Sequence, residues 1–364
     1  MKFFDLGLED PATRAAMDAA YARVMDSGWM VLGPEVEAFE SEFADTCGAA
    51  HAVGVGNGLD ALVLALRAAG VGPGAEVIVP SHTFVATWLA VEAVGARIVP
   101  VEVDPDTFTL DPAAAAAAVT PRTAAVIPVS LYGHPADMDP IMRLAEAHGL
   151  FVLEDAAQSH GGRYRDRPVG SVAHATAFSF YPTKNLGALG DAGAVVTDDA
   201  DLAEKLRLLR NYGSRRKYVH EMAGVNSRLD ELQAAFLRVR LSRLDAANDA
   251  RRERAALYDR LLGNVAGVRP PQAADWARHV YHLYVVRSQA RDRLQASLQT
   301  AGIETLIHYP QPCHLQPAFE HYGFTRGDFP IAERLAGEVL SLPLWPGMPL
   351  ADVEQVAAAI SRDA

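Results

Sequence analysis

Lys184 lies in the segment AFSFYPTKNLGALGDAGAVV, where alternating apolar residues lead through Ser179 and Tyr181 into a glycine-rich loop. Small and apolar flanks can desolvate an amine, and a desolvated amine has the lowered pKa that imine formation requires. Most lysines are only solvated charges, so the flanks carry this reading and the residue type does not. Asp155 ends the apolar run LFVLED and passes into the small-residue turn AAQSHGG. An acid at the carboxyl end of a strand in a parallel α/β sheet projects where ligands bind, although the same aspartate could equally cap a turn. A third segment, HAVGVGNGLDALVLALRAAG, joins a strand-like run, a glycine turn and an apolar helix whose first N–H groups could face a phosphate. It is a poor dinucleotide fingerprint, because Gly54, Gly56 and Gly58 recur every second residue and Leu59 stands where that pattern needs glycine. A strand-end acid, an imine-forming lysine and a phosphate turn are together the parts of a pyridoxal 5'-phosphate site.

The elements that must position these groups are legible from periodicity. Between about residues 50 and 200, β-rich runs alternate with helical ones, the pattern of βαβ units around a mostly parallel sheet. Strands are expected at 51–55, 76–80, 97–103, 124–131, 150–154, 175–181 and 192–197, with a helix at 59–69 closed by Gly70. The alanine run 112–120 reads as a surface helix, since alanine is the best helix former. After residue 225 the pattern changes to long helices, a strand-like HLYVVR and a helix at 289–301. The chain is therefore expected to be α/β, with a large domain over 1–248, including an N-terminal arm, and a smaller α+β domain over 249–364.

Composition narrows the partners. The chain has 364 residues, half of them hydrophobic, and a net charge of −12, which argues against a nucleic-acid or anionic-membrane surface. The basic run of Arg207, Arg210, Arg215, Arg216 and Lys217 reads at first as a solvated face. Two cysteines, Cys47 and Cys313, do not make a disulfide framework or a metal site and suit a reducing cytoplasm. The first residues lack the apolar core of a signal peptide, and no run is long and apolar enough for a membrane span.

Several separated motifs, from GWMVLGPEVEAFE at 28–40 to LPLWPGM at 342–348, occur in an order that resembles the DegT/StrS-type sugar aminotransferases, which are fold-type I pyridoxal-phosphate enzymes. The resemblance implies a mostly parallel seven-stranded large-domain sheet and a homodimer with shared active sites. It implies that Asp155 pairs with the pyridinium nitrogen, that Gln158 lies near the phenolic oxygen, and that Lys184 holds the cofactor as a Schiff base. Ser179 and the backbone N–H groups of Leu59 and Asp60 would bind its phosphate, Phe84 would cover the ring, and Asn226 would reach the neighbouring subunit's phosphate. Each has an ordinary alternative: Phe84 as a core aromatic, Ser179 and Gln158 as turn hydrogen-bonders, and Asn226 as the N-cap of the helix ahead. Leu59 departs from the threonine common in the family, leaving only backbone contact there.

The resemblance also bears on the substrate. KNLGALGDAGA and NGLDAL are similar to segments of relatives that aminate a nucleotide-linked 3-keto-6-deoxyhexose. In IHYPQPCHLQPAF, His308 and His314 are six apart without a third ligand, so sugar binding suits this loop better than metal. By the same resemblance Tyr181, His308 and Tyr309 would contact the hexose and Lys217 the diphosphate. The implied reaction transfers an amino group from L-glutamate, through the pyridoxamine phosphate form, to the C3 keto group of a dTDP-linked sugar. Amination at C4 or of a cyclitol, and a non-catalytic regulatory binder, are the alternatives. A dehydratase of the same fold would lack Lys184.

Overall fold

The computed structural model describes residues 1–6 and 10–363. Its large domain is organised by a seven-stranded sheet of β1 (His51–Val55), β2 (Glu76–Pro80), β3 (Arg97–Val101), β4 (Thr123–Val126), β5 (Phe151–Asp155), β6 (Ala175–Ser179) and β7 (Gly193–Thr197). The spatial order is β1-β7-β6-β5-β4-β2-β3, and only β7 runs against the rest. The central strands are buried on both faces, as helix-covered parallel sheets require.

Three expectations change. The run 124–131 is a strand only over Thr123–Val126; Pro128 has no N–H to continue a ladder. The run 97–103 closes at Val101, and Val103 bridges to Leu110 instead. The alanine helix is short, Pro112–Ala117, and one of its residues, Ala115, is fully buried.

Two N-terminal helices, Pro11–Ser27 and Pro34–Cys47, pack on the helix Glu231–Leu241. The buried Glu231 carboxylate accepts from the N–H groups of Gly33 at 2.6 Å, Glu35 at 2.9 Å and Val36 at 3.1 Å. One acid thereby satisfies the start of the second helix. The long helix Leu244–Leu262 leaves the large domain: Asn248 bonds the His160 carbonyl at 2.8 Å, whereas Tyr258 and Leu262 belong to the C-terminal core. That core is built on the antiparallel pair Tyr284–Arg287 and Val339–Leu342, with helices Arg291–Thr300 and Leu350–Asp363. Among the described residues no helix is long and apolar enough to cross a membrane.

Candidate active site

Parallel strands bring their carboxyl ends to one edge. β5 ends on Asp155, β6 ends on Ser179, and the helix Gly58–Ala68 starts just beyond β1. At this edge a cavity of about 680 Å3 is lined by Leu59, Phe84, Asp155, Gln158, Ser179, Tyr181 and Lys184 from the large domain. His282, Leu283, His308 and Tyr309 close it from the C-terminal side. Phe84 and Tyr181 are half-exposed aromatics because they face this space.

The electrostatics of the two central groups oppose each other. Burial lowers the Lys184 amine from 10.5 to about 8, while the charge of Asp155 works the other way. Burial raises Asp155, and the Thr87 hydroxyl, the Ala157 N–H and Lys184 pull it back. Thr87 Oγ1 donates to Asp155 Oδ2 at 2.9 Å and the Ala157 N–H to Oδ1 at 3.2 Å. Around them burial favours neutral groups: it lowers His308 to about 4, helped by Lys184, and pushes the Tyr309 phenol up. His308 Nδ1 shares a proton with Ser341 Oγ at 2.8 Å, and Gln158 Nε2 donates to Tyr309 Oη at 3.2 Å.

The turn at the helix start is tightly packed. A Cβ on Gly58 would stand 2.5 Å from Ser179 Cβ, and one on Gly193 would stand 2.4 Å from the Asn57 carbonyl oxygen. Only glycine at these two positions permits such close approaches, the first to Ser179 and the second to the Asn57 backbone. Asn57 caps the helix, its Oδ1 accepting from the Asp60 N–H at 2.8 Å. The Asp60 N–H, expected at the phosphate, thus has a partner within its own helix start, and the Asp60 carboxylate accepts from Ser227 Oγ at 2.6 Å. The donors left for an anion are the Gly58 and Leu59 N–H groups at the helix N-terminus, with Ser179 Oγ beside them.

Two expected residues stand elsewhere. Lys217 is exposed on a hairpin of Ser214–Arg216 and Val219–His220, with Nζ 5.2 Å above the Tyr218 ring, and does not line the cavity of its own chain. Asn226 is also exposed and bridges Asn211; the following helix begins at Glu231 behind Asp230, so Asn226 is not its N-cap. Nor is the basic run uniformly solvated. Arg210 is buried, pairs with Glu40 and donates to the Gly54 carbonyl at 2.6 Å.

Thr87, Asn57 and Tyr132 are polar groups that the structure adds to this neighbourhood. Asn57 was recoverable, since Asn three residues before Asp60 at the head of an apolar helix is a capping pattern. Thr87 and Tyr132 become meaningful only through partners distant in sequence.

A half-buried lysine and a buried acid at the carboxyl edge of a mostly parallel sheet, beside a glycine-tight helix start, define an enzyme of the fold-type I aminotransferase class. The model of the DegT/DnrJ/EryC1/StrS aminotransferase family matches residues 11–361, and the chain belongs to that family. It is 55% identical over 362 residues to the erythromycin biosynthesis sensory transduction protein EryC1 of Saccharopolyspora erythraea, covering 100% of this chain and 99% of that protein. It is 56% identical over 344 residues to a dTDP-3-amino-3,4,6-trideoxy-alpha-D-glucose transaminase of Streptomyces venezuelae, covering 94% and 91% of the two chains. The crystal structure of S. venezuelae DesV in complex with a ketimine intermediate superposes with a TM-score of 0.98 at 54% identity, over 99% of this chain and 97% of that one.

Proposed function

We propose that the chain is a pyridoxal-phosphate-dependent transaminase that moves an amino group from L-glutamate to the C3 keto group of a dTDP-linked 3-keto-6-deoxyhexose. The observation that carries this reading is the convergence of Lys184 and Asp155 in one buried cavity with the Gly58–Ser179 cradle. The family is pyridoxal-phosphate dependent, and these residues fit that group: a buried carboxylate for the ring nitrogen, a desolvated amine, and N–H donors for the phosphate. Bound there, the cofactor supplies a carbonyl carbon for the amine and a ring that withdraws electrons from the substrate carbon.

The chain's own residues do the rest. Asp155, held by Thr87 and Ala157, keeps the proton on the ring nitrogen by its negative charge. Lys184, whose amine burial lowers to about 8, gives up its proton far more readily than an exposed lysine and can take a proton from the amino donor's α-carbon and return it. Phe84 would cover a ring face of the cofactor, and Gln158 would lie toward its phenolic oxygen. Ser179 with the Gly58 and Leu59 N–H groups holds the phosphate. Tyr181, His308 and Tyr309 bind sugar hydroxyls, the last two as neutral donors and acceptors. Lys217 and Asn226, exposed on their own chain, serve the partner's site in a homodimer, the lysine at the sugar diphosphate and the asparagine at the cofactor phosphate. We read 1–248 and 249–364 as the two domains, and the protein as one working in the cytoplasm.

Borohydride reduction of the purified protein should fix the cofactor to a peptide containing Lys184, and free cofactor after reduction would refute the assignment. With glutamate and a dTDP-3-keto-6-deoxyhexose, NMR should find the new amine at C3; an amine at C4 would overturn the regiochemistry. The name of the S. erythraea relative favours a regulatory reading. The intact Lys184, Asp155 and Ser179 set favours turnover, and release of 2-oxoglutarate from glutamate decides between them.

A further inference from the structure

Tyr132 stands behind the cavity wall, is 2% exposed, and occupies a short turn, Leu131–Gly133, beyond the end of β4. Its φ is 58°, in the left-handed region that residues other than glycine seldom adopt and that recurs where structure over-determines a functional position. Next to it Gly133 is wedged: a Cβ there would lie 2.9 Å from the His282 nitrogen and 3.1 Å from the Gln158 carbonyl oxygen. The turn is thus clamped between the large domain and the segment that carries His282.

Two paths of hydrogen bonds leave Tyr132 and end on neighbouring residues of one loop. Its N–H donates to Gln158 Oε1 at 2.6 Å, and Gln158 Nε2 donates onward to Tyr309 Oη at 3.2 Å. Its hydroxyl donates to the His308 carbonyl. His82 Nε2 lies 2.8 Å from the same hydroxyl. Because the phenol proton goes to the carbonyl, His82 must supply the Nε2–H, and burial, which lowers its pKa to about 4, keeps that ring neutral. The turn also holds the C-terminal segment through the Leu283 N–H on the Tyr132 carbonyl at 3.3 Å and the Val280 N–H on the Gly133 carbonyl at 3.0 Å.

We propose that Tyr132 is a positioning residue for the amino acceptor, fixing the His308–Tyr309 wall against Gln158 so that this wall keeps its distance from the Asp155 edge of the cavity. The proposal rests on the reading of His308 and Tyr309 as contacts of the keto sugar. Tyr132 does not itself line the cavity, so it acts through these residues. The partners of its hydroxyl, the His308 carbonyl and His82, carry no part in taking the amino group from glutamate, which needs Lys184 and Asp155, and the backbone N–H that meets Gln158 does not depend on the hydroxyl. Loss of the hydroxyl should therefore separate the two halves of the reaction.

The test is Tyr132→Phe in the full-length holoenzyme, with the two half-reactions followed separately and cofactor affinity measured on the stripped protein. The glutamate half-reaction and the cofactor dissociation constant should stay within about twofold of wild type. KM for the dTDP-3-keto sugar should rise roughly tenfold, the scale expected when a part-buried carbonyl loses a neutral donor. His82→Leu, which removes only the donor behind the phenol, should shift the same parameter by less. A wild-type KM in Tyr132→Phe, or an equal fall in both halves together with cofactor affinity, overturns the proposal. A wild-type protein that takes the amino group from glutamate yet passes it to no keto sugar sinks the acceptor reading, and this inference with it.

Discussion

Replacing Thr87 by valine keeps nearly the same volume in a fully buried position and removes one hydroxyl. That hydroxyl donates to Asp155 Oδ2 at 2.9 Å and accepts from Thr83 Oγ1 at 3.0 Å. Asp155 is already pushed up by burial, and the Thr87 hydroxyl is the largest of the effects opposing that push. Without it only the Ala157 N–H, at 3.2 Å on the other oxygen, and the charge of Lys184 remain. A hydrogen bond to a charged acceptor contributes roughly 1.5–3 kcal/mol. Since a donor favours the ionised carboxyl, its loss moves the Asp155 pKa further up, and binding the cofactor must then include deprotonation. The pyridoxal-phosphate dissociation constant of Thr87→Val should rise roughly ten- to hundredfold, most on the acid side and least at alkaline pH, where the carboxyl ionises regardless. Titrating stripped protein with cofactor at several pH values, by visible absorbance, measures this directly. Thr87→Ser keeps the donor and should bind nearly as wild type. Equal affinity for Thr87→Val and wild type across the pH range, or a serine variant as weak as valine, would refute the reasoning.

Other outcomes follow from neighbouring groups. Lys184 in stripped protein should become reactive toward an acylating reagent around pH 8, read by mass spectrometry of its peptide, and a midpoint near 10.5 would contradict the burial argument. Burial raises Glu154 from 4.5 to about 7, so the folded state holds a proton that the unfolded chain has lost. Its contribution therefore makes stability fall, by roughly 3 kcal/mol, as pH rises between those two values, and Glu154→Gln should flatten that slope in urea denaturation. Gly58→Ala places a Cβ 2.5 Å from Ser179 Cβ. The overlap should outweigh the gain of about 1 kcal/mol in helix propensity, lowering both thermal stability and cofactor affinity. A stabilised variant with normal affinity would show that the cradle is looser than drawn.

Much of the scaffold could be read from local pattern. β1 and β2 occur over the expected residues, because short β-branched runs between helices have one low-energy arrangement in a covered parallel sheet. Asp155 and Lys184 were recognisable because each sits at the junction of an apolar strand and a tight turn, where a polar group has few structural uses. The run 124–131 reads as longer than its strand because hydrophobicity continues past Pro128 while the ladder cannot.

The sequence by itself determined the chemistry on offer: an acid at one strand end, a lysine in an apolar glycine loop, and a helix start able to meet a phosphate. Those assignments depend on residues close in the chain, and local physics was enough. The tertiary structure decided which polar groups are already spent. The Asp60 N–H belongs to Asn57, Arg210 is buried against Glu40, and Lys217 lies outside its own cavity. It also brought Thr87 to Asp155 across 68 positions and Tyr132 to His308 across 176. Hydrogen bonds of that span leave no periodic trace, because their partners are matched by the packing of whole elements and not by spacing along the chain.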